Sequence, residues 1–277
     1  MPSNLRAARS RSESILVTSA HDGQRSRKPD ELIVEEPMTV QLDGVTVSTT
    51  MRTPGHDFEL AVGFCFTEGL LAVVHGDTVP VTGVRYCAAT GSAAGSEFNV
   101  VSVDTGGRAP APRPRLGNTT SSCGLCGNDA IDQLCDRLSP LSASEPMALD
   151  VLQSVPDAVR TTQELFEVTG SVHAAASFDA EGRVLLTRED VGRHNAVDKV
   201  IGRMLLDGDL PATGLGLFVS GRASFELVQK AWAAGFSTLV AVSAPTALAV
   251  YTARRAGLVL AGFVRADRLN VYAPERL

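Results

Sequence analysis

The residues best suited to chemistry are Cys123 and Cys126, in the run Ser121-Ser122-Cys123-Gly124-Leu125-Cys126-Gly127. Glycine on both sides strips bulk from around the sulfurs and lets the backbone take conformations other residues avoid, so a large reaction partner can come close. The pair follows an irregular run from Gly106 to Thr120 that holds Pro110, Pro112 and Pro114. It precedes a helical pattern starting near Asn128, with Ile131, Leu134, Cys135 and Leu138 on the apolar face. With Asn128 as N-cap, the free N–H groups and positive dipole end of that helix favour a thiolate at Cys126 and at Cys123 beside it. The thiolate is the nucleophile, and an exposed pair on a loop suits the handing over of a group.

Other uses of the pair stay open at this point. Structural zinc takes four ligands, and no second C-x-x-C or H-x-x-x-H follows, so zinc would have to be shared across a dimer. A thioredoxin-like redox motif starts a helix directly after a strand, whereas the residues upstream here read as coil. Two inert thiols would need burial that a glycine-rich loop hardly provides. Thiol chemistry leads, and Cys65, Cys87 and Cys135, which fall in patterned helix or strand, read as core residues.

The elements that must position the thiols form a sizeable globular protein. A chain of 277 residues with 44% hydrophobic content supports one large domain or two ordinary ones. No apolar run is long enough to span a bilayer and the N-terminus lacks a signal-peptide core, so a cytoplasmic protein is expected. Five cysteines without a disulfide-framework spacing fit a reducing compartment. A net charge of −6 argues against nucleic acid as a partner.

Residues 1–30, with Arg6, Arg9, Arg11, Arg25, Arg27 and Lys28 among serines and alanines, read as a disordered tail. Residues 31–105 read as a smaller N-terminal α+β domain. It contains strands Met38 to Leu42 and Val45 to Met51 around the turn Asp43-Gly44, a helix from Asp57 to Leu71, and strands near Val81 to Ala88 and Glu97 to Asp104. Residues 106–127 are the linker and C-x-x-C loop, and residues 128–277 an α/β ligand-binding domain. In that last part the periodicity predicts a helix over Asp150 to Val168, a hairpin of Ser171 to Phe178 with Arg183 to Thr187, and then alternation. Helices Asn195 to Leu206, Phe225 to Ala234 and Ala247 to Ala256 are each followed by an apolar strand, Gly214 to Val219, Thr238 to Val242 and Leu258 to Val264. Near-continuous apolar strands between helices indicate a largely parallel sheet covered on both faces, a three-layer α/β/α arrangement.

Parallel sheets hold ligands at the carboxyl ends of their strands. The loops there are Ser220-Gly221-Arg222-Ala223-Ser224, Ser243-Ala244-Pro245-Thr246 and Arg265-Ala266-Asp267-Arg268. Small residues, hydroxyls and free N–H groups suit a phosphate, while Arg222, Arg265 and Arg268 offer charge and planar donors to a phosphate or a guanine edge. The plainer alternative is that the hydroxyls cap helices and the arginines are solvated. Neither G-x-x-x-x-G-K-[ST] nor a complete G-x-G-x-x-G is present, so nothing supports an NTPase or a dinucleotide dehydrogenase. His194, after Arg188-Glu189-Asp190-Val191-Gly192-Arg193, either lines the same cleft or belongs to a surface helix start, and His173 in an apolar strand reads as a hydrogen-bonded histidine rather than a metal ligand.

Taken together, the strings Glu35-Glu36-Pro37, Thr53-Pro54-Gly55, Glu59 to Phe64, Thr67 to Leu70, Ser121 to Gly127, Arg188 to Gly202, Ser220 to Leu227, Ser243 to Thr246, Gly262 to Arg265 and Asn270 to Arg276 resemble the FdhD/NarQ family, accessory sulfurtransferases of formate dehydrogenase. The resemblance implies a sulfur carrier that accepts sulfane sulfur from a cysteine desulfurase and passes it to the bis-molybdopterin guanine dinucleotide cofactor. It also implies a homodimer with a cytidine-deaminase-like α/β core. Cys123 matches the family's persulfide cysteine, Cys126 its second motif thiol, and Phe263, Val264, Arg265, Ala266, Asp267 and Arg268 its cofactor-binding segment. Ser220, Arg222, Ser224, Pro245, Thr246 and His194 complete the expected cofactor site, and no metal ligands are expected.

Deamination itself fits poorly. A zinc deaminase needs H-x-E before P-C-x-x-C, with the glutamate moving protons. Here Ala174 and Ala175 follow His173, the C-x-x-C precedes that histidine, and Ser122 stands where the proline would be. The remaining readings are a non-catalytic cofactor-binding protein whose C-x-x-C holds zinc or a redox bridge, and a general thiol-disulfide oxidoreductase.

Overall fold

The computed structural model describes residues 10–72, 78–87, 98–111 and 137–274. Cys123, Cys126, Cys135 and the start of the helix expected from Asn128 lie outside the described residues. The first element corrects the sequence reading of a disordered tail. An antiparallel hairpin, β1 (Ser12–His21) with β2 (Gln24–Ile33), occupies much of it. Asp22 and Gly23 between the strands have φ of 49° and 77°, the turn whose twist matches two right-twisted strands. Basic, serine-rich composition had hidden the same signal that Asp43-Gly44 gives, with φ of 47° and 83°.

β3 (Glu36–Leu42), β4 (Val45–Arg52), β5 (Gly83–Tyr86) and β6 (Val100–Asp104) form a sheet in the order β4-β3-β6-β5, with β3 and β6 parallel. Alternate residues Met38, Val40 and Leu42 point to one face with Val101 and Val103, and pack on Leu60, Ala61 and Cys65 of α1 (Asp57–Thr67). Most of α1 is buried, including Asp57 and Glu59 in its first turn, so it needs cover on more than one side.

The helix expected over Asp150 to Val168 is two helices, α2 (Leu149–Arg160) and α3 (Glu164–Thr169). The Thr161 and Thr162 hydroxyls donate back to the carbonyls of Ala158 and Val159 at 2.8 Å each, closing α2. α3 is then started from outside: both oxygens of Glu189 accept the N–H groups of Leu165 and Phe166 at 2.8 Å.

A second sheet has six strands in the order β12-β11-β10-β9-β7-β8: β7 (His173–Phe178), β8 (Val184–Asp190), β9 (Gly216–Val219), β10 (Thr238–Ala241), β11 (Val259–Arg265) and β12 (Arg268–Ala273). Only β9, β10 and β11 are parallel; β7 pairs antiparallel with both β8 and β9, and β12 pairs antiparallel with β11. The expected largely parallel sheet is therefore mixed, and Arg265 to Arg268 is the tight turn of the β11–β12 hairpin. Side-chain alternation covers both faces. Leu217, Val219, Leu239, Ala241 and Leu260 pack under α4 (Arg193–Asp207), α5 (Phe225–Ala233) and α6 (Ala247–Ala256). Phe218, Val240 and Ala261 pack on the other face with Leu152, Val155 and Val159 of α2. The chain beyond the linker is tied to the first of these layers, since Trp232 Nε1 donates to Ser139 O and Leu141 N to Ala256 O, each at 2.8 Å.

α1 joins the two sheets by lying against α4. At the crossing Gly63 and Gly202 face each other's backbone: a Cβ on Gly202 would sit 1.8 Å from the Glu59 carbonyl oxygen, and one on Gly63 1.9 Å from that of Asp198. The seam also carries charge. Lys230 donates to both Asp198 oxygens at 2.9 Å and to the Thr67 hydroxyl at 2.8 Å, all three buried, and Arg188 forks onto Glu59 at 2.6 and 2.9 Å. Among the described residues no helix is long and apolar enough to cross a membrane.

Candidate functional site

The carboxyl ends of β9, β10 and β11 lie side by side, and their loops are stitched together by backbone bonds. Thr246 N donates to Ala223 O at 3.0 Å, Ala223 bridges Pro245, and Phe263 N donates to Ser243 O at 3.2 Å. Gly262 makes the last approach possible, because a Cβ there would meet the Pro245 ring at 2.9 Å and Ser243 O at 3.2 Å. The sheet edge thus brings Ser220, Arg222, Ser224, Pro245, Thr246 and the Phe263 to Arg268 segment onto one rim. At about 4.8 Å per strand, β9 to β12 spans roughly 14 Å, enough for an extended ligand.

Individual roles on the rim differ from the sequence expectation. Thr246 spends its hydroxyl as the N-cap of α6, accepting Ala249 N at 3.2 Å. Ser220 uses its hydroxyl oxygen to accept Ala174 N at 2.9 Å, extending the β7–β9 ladder, with His173 Nδ1 at 3.3 Å. Ser224, the N-cap of α5, makes no side-chain cap bond and instead faces His194 Nε2 at 3.4 Å. Arg265 donates to the carbonyls of Val242 at 2.8 Å and Val264 at 2.7 Å, so part of its donor fork holds the rim itself. Arg222, Ala266, Asp267 and Arg268 are exposed. Phe263 stands at φ 53° and is 43% exposed, within the irregular register between Gly262 and Arg265. A bulky residue held in the left-handed region costs on the order of 1–3 kcal/mol, a strain that clusters at ligand clamps.

Two residues not assigned a role from sequence belong to this rim. The β7–β9 register, with Ala175 opposite Val219, carries His173 opposite Gly221. A Cβ on Gly221 would lie 3.5 Å from the His173 ring and 3.6 Å from Arg193 Cδ. His194, one residue further on, has its Nε2 2.6 Å from Glu226. Burial depresses the His173 pKa, and the charges of Arg193 and His194 push it the same way against Asp190. Periodicity gave no hint of this cluster because it joins β7, the start of α4 and the loop after β9, three separate stretches of chain.

The polar run before His194 is largely scaffold. Asp190 Oδ2 accepts Lys199 Nζ at 2.6 Å and Thr53 N at 3.1 Å; Oδ1 accepts Gly192 N at 2.8 Å and Asn195 Nδ2 at 3.0 Å. Lys199, with no exposed surface, completes its donors on Thr53 O at 3.0 Å and Glu189 O at 3.3 Å. Buried Arg52 likewise forks onto Asp57 at 3.0 and 2.9 Å and reaches Glu36 at 3.2 Å. The strings beginning at Glu35, Thr53 and Arg188 thereby meet in one network, which fixes the first turn of α4 and the direction of Arg193 and His194. A cavity of about 480 Å³ lies at the opposite end of the six-stranded sheet, beside Leu215, Arg203 and Asp207, away from every residue expected to bind a ligand.

Of the cysteines, Cys65 is fully buried in α1, and burial, helped by the charges of Asp198 and Glu68, pushes its thiol up to about 12. It is inert at neutral pH, as expected of a core residue. Cys87, just after β5, is half-buried.

The FdhD/NarQ family model matches residues 33–277. The chain is similar to the sulfur carrier protein FdhD of Mycolicibacterium paratuberculosis, 45% identical over 261 residues covering 92% of this chain and 94% of that one. It is also similar to the sulfur carrier protein FdhD of Streptomyces avermitilis, 45% identical over 265 residues covering 94% and 93%. A crystal structure from Desulfotalea psychrophila, assigned as a formate dehydrogenase accessory protein, superposes with a TM-score of 0.76 at 23% identity over 97% of this chain and 100% of that one, a likeness of fold.

Proposed function

Because this chain belongs to the FdhD/NarQ family, we propose that it is a sulfur carrier that takes sulfane sulfur from a cysteine desulfurase and supplies it to the bis-molybdopterin guanine dinucleotide cofactor on which formate dehydrogenase activity depends. The observation that carries the reading is the glycine-flanked C-x-x-C pair, Cys123 and Cys126, in a chain matched almost throughout by relatives named as sulfur carriers. The Cys123 thiolate attacks the outer sulfur of the desulfurase persulfide. A new S–S bond forms on Cys123 as the desulfurase cysteine leaves as thiolate. Attack of Cys126 on the inner sulfur of Cys123 then expels the outer sulfur as sulfide. That sulfur gains two electrons, the two cysteines form a disulfide, and a cellular dithiol reopens it. In the other version of the step, Cys126 remains a thiol that tunes Cys123 and holds the loop.

The cofactor is the substrate of this transfer, held by the sheet-edge rim. The rim's residues fit it: Phe263 is presented outward by a strained backbone, Arg222 and Arg268 are exposed, and Ser224 leaves the N-terminus of α5 uncapped by its side chain. The three-layer packing around the six-stranded sheet supports a cytidine-deaminase-like core, used here as a nucleotide cradle. The reading includes a homodimer acting in the cytoplasm.

The test is intact mass of the protein and of Cys123→Ala after incubation with a cysteine desulfurase and cysteine, without reductant. Added sulfur on the native chain alone establishes Cys123 as acceptor. No added sulfur from an active, compatible desulfurase instead favours a protein that binds or delivers the cofactor and uses the pair for zinc or a redox bridge.

A further inference from the structure

Two arginines, Arg11 and Arg193, hold a buried Nε without an acceptor among the described residues, and of these Arg193 stands at the sheet-edge rim. Its Nε is buried and makes no hydrogen bond, although its neighbours on the network, Asp190, Gly192 and Asn195, are fully engaged with one another. A buried N–H without an acceptor costs free energy, and in a native structure calls for a reason. No carboxylate among the described residues forms an ion pair with Arg193: Asp190 is committed to Lys199, and the nearby Glu226 to His194. The Arg193 side chain runs over Gly221, and the His173 ring lies over the same glycine. Gly221 thus lies between the aliphatic stem of Arg193 and the His173 imidazole. Two helix starts flank it, α4 at Gly192, which has no side chain to cap with, and α5 at Ser224, whose hydroxyl makes no cap bond. Helix starts present N–H groups and positive potential.

We propose that Arg193 binds a phosphate group of the nucleotide over Gly221, with the His173 imidazole and the Ser224 hydroxyl as hydrogen-bonding partners. The guanidinium supplies the planar fork that phosphate oxygens accept, and an anion beside it offsets the cost of holding a cation whose Nε has no acceptor. A side chain at Gly221 would fill the space between the His173 ring and Arg193, where the phosphate is placed. The proposal rests on the reading of this sheet edge as a nucleotide site and adds to it the residues that hold its charge.

Calorimetric titration of the full chain with guanosine diphosphate and with guanosine separates the two. The native protein should bind the diphosphate more tightly than the nucleoside. Arg193→Gln should remove that preference, weakening diphosphate binding by about 10- to 100-fold while leaving guanosine unchanged, the range expected for one charge-assisted contact. The thermal midpoint of ligand-free Arg193→Gln should not fall, because no protein bond is lost. Gly221→Val should also remove the preference, because its side chain fills the space between Arg193 and His173 while the Arg193 charge is kept. If neither ligand binds the native protein, the nucleotide reading fails and this assignment with it. If the diphosphate preference survives in both variants, the assignment fails while the nucleotide reading stands. A lowered midpoint with equal loss of both ligands in Arg193→Gln, and normal binding in Gly221→Val, would make Arg193 a structural residue and overturn the proposal.

Discussion

Gly202→Ala tests whether the two halves are held together by a crossing only glycine permits. In a helix interior, alanine is ordinarily worth about 1 kcal/mol over glycine, so local propensity alone predicts a more stable protein. The packing predicts the opposite. The added Cβ would stand 1.8 Å from the Glu59 carbonyl oxygen and 2.7 Å from Gly63 N, and both obstacles are backbone that no rotamer change can clear. Bringing the first of these past 3.0 Å requires the helices to part by about 1.2 Å. That parting strains the Arg188 fork onto Glu59 and the Lys230 bonds that tie Thr67 of α1 to Asp198 of α4. Overpacking of this kind costs about 3 kcal/mol at its upper range, leaving a net loss near 2 kcal/mol and a fall in thermal midpoint of roughly 4–8 °C for a chain of this size. Scanning calorimetry on native, Gly202→Ala, Gly63→Ala and the double variant provides the check. The double variant should lose less than the two singles combined, since one parting accommodates both methyl groups. A rise in midpoint for Gly202→Ala would show that the helices do not approach as closely as described.

Other outcomes follow from the buried charges. Burial by itself would raise the Glu59 carboxyl, but the hydrogen bonds from Arg188 and His56 outweigh it and hold the group down from 4.5 to about 2. A carboxylate with a depressed native pKa contributes stability that is fully present above pH 4.5 and is lost as pH falls from there towards about 2. Urea midpoints taken from pH 7 down to pH 3 should therefore fall more steeply in the native protein than in Glu59→Gln; equal slopes would refute the assignment. Lys230→Met strands the Asp198 carboxylate in the core and should cost about 3–5 kcal/mol, whereas adding Asp198→Leu should restore most of it. If the double substitution is no more stable than the single one, the pair is not the unit described.

The sequence by itself determined the alternation of helices and strands after residue 170, because buried strands and amphipathic helices leave periodic apolar patterns whatever their partners. It also supplied the family, through short strings spread along the chain, and the thiol pair, whose chemistry lies in residue type and spacing. It misread what long-range contacts decide. The sheet reads as largely parallel, yet β12 pairs antiparallel with β11 through a two-residue turn and β7 antiparallel with β9, pairings that no local pattern encodes. The break between α2 and α3 depends on Glu189, more than twenty residues away, capping a helix it does not belong to. The hairpin of residues 12–33 carried a plain Asp-Gly turn signal that composition outweighed. Within the candidate site, loops after strands were legible because parallel sheets always present them there. Only the tertiary structure showed that the charged run from Arg188 to Asn195 serves mainly as buried scaffold, since a side chain's partners depend on which distant backbone groups the fold delivers to it. The same structure set Arg193 and His173 over Gly221, because a β-strand, a helix start and a loop from three stretches of chain converge at one sheet edge.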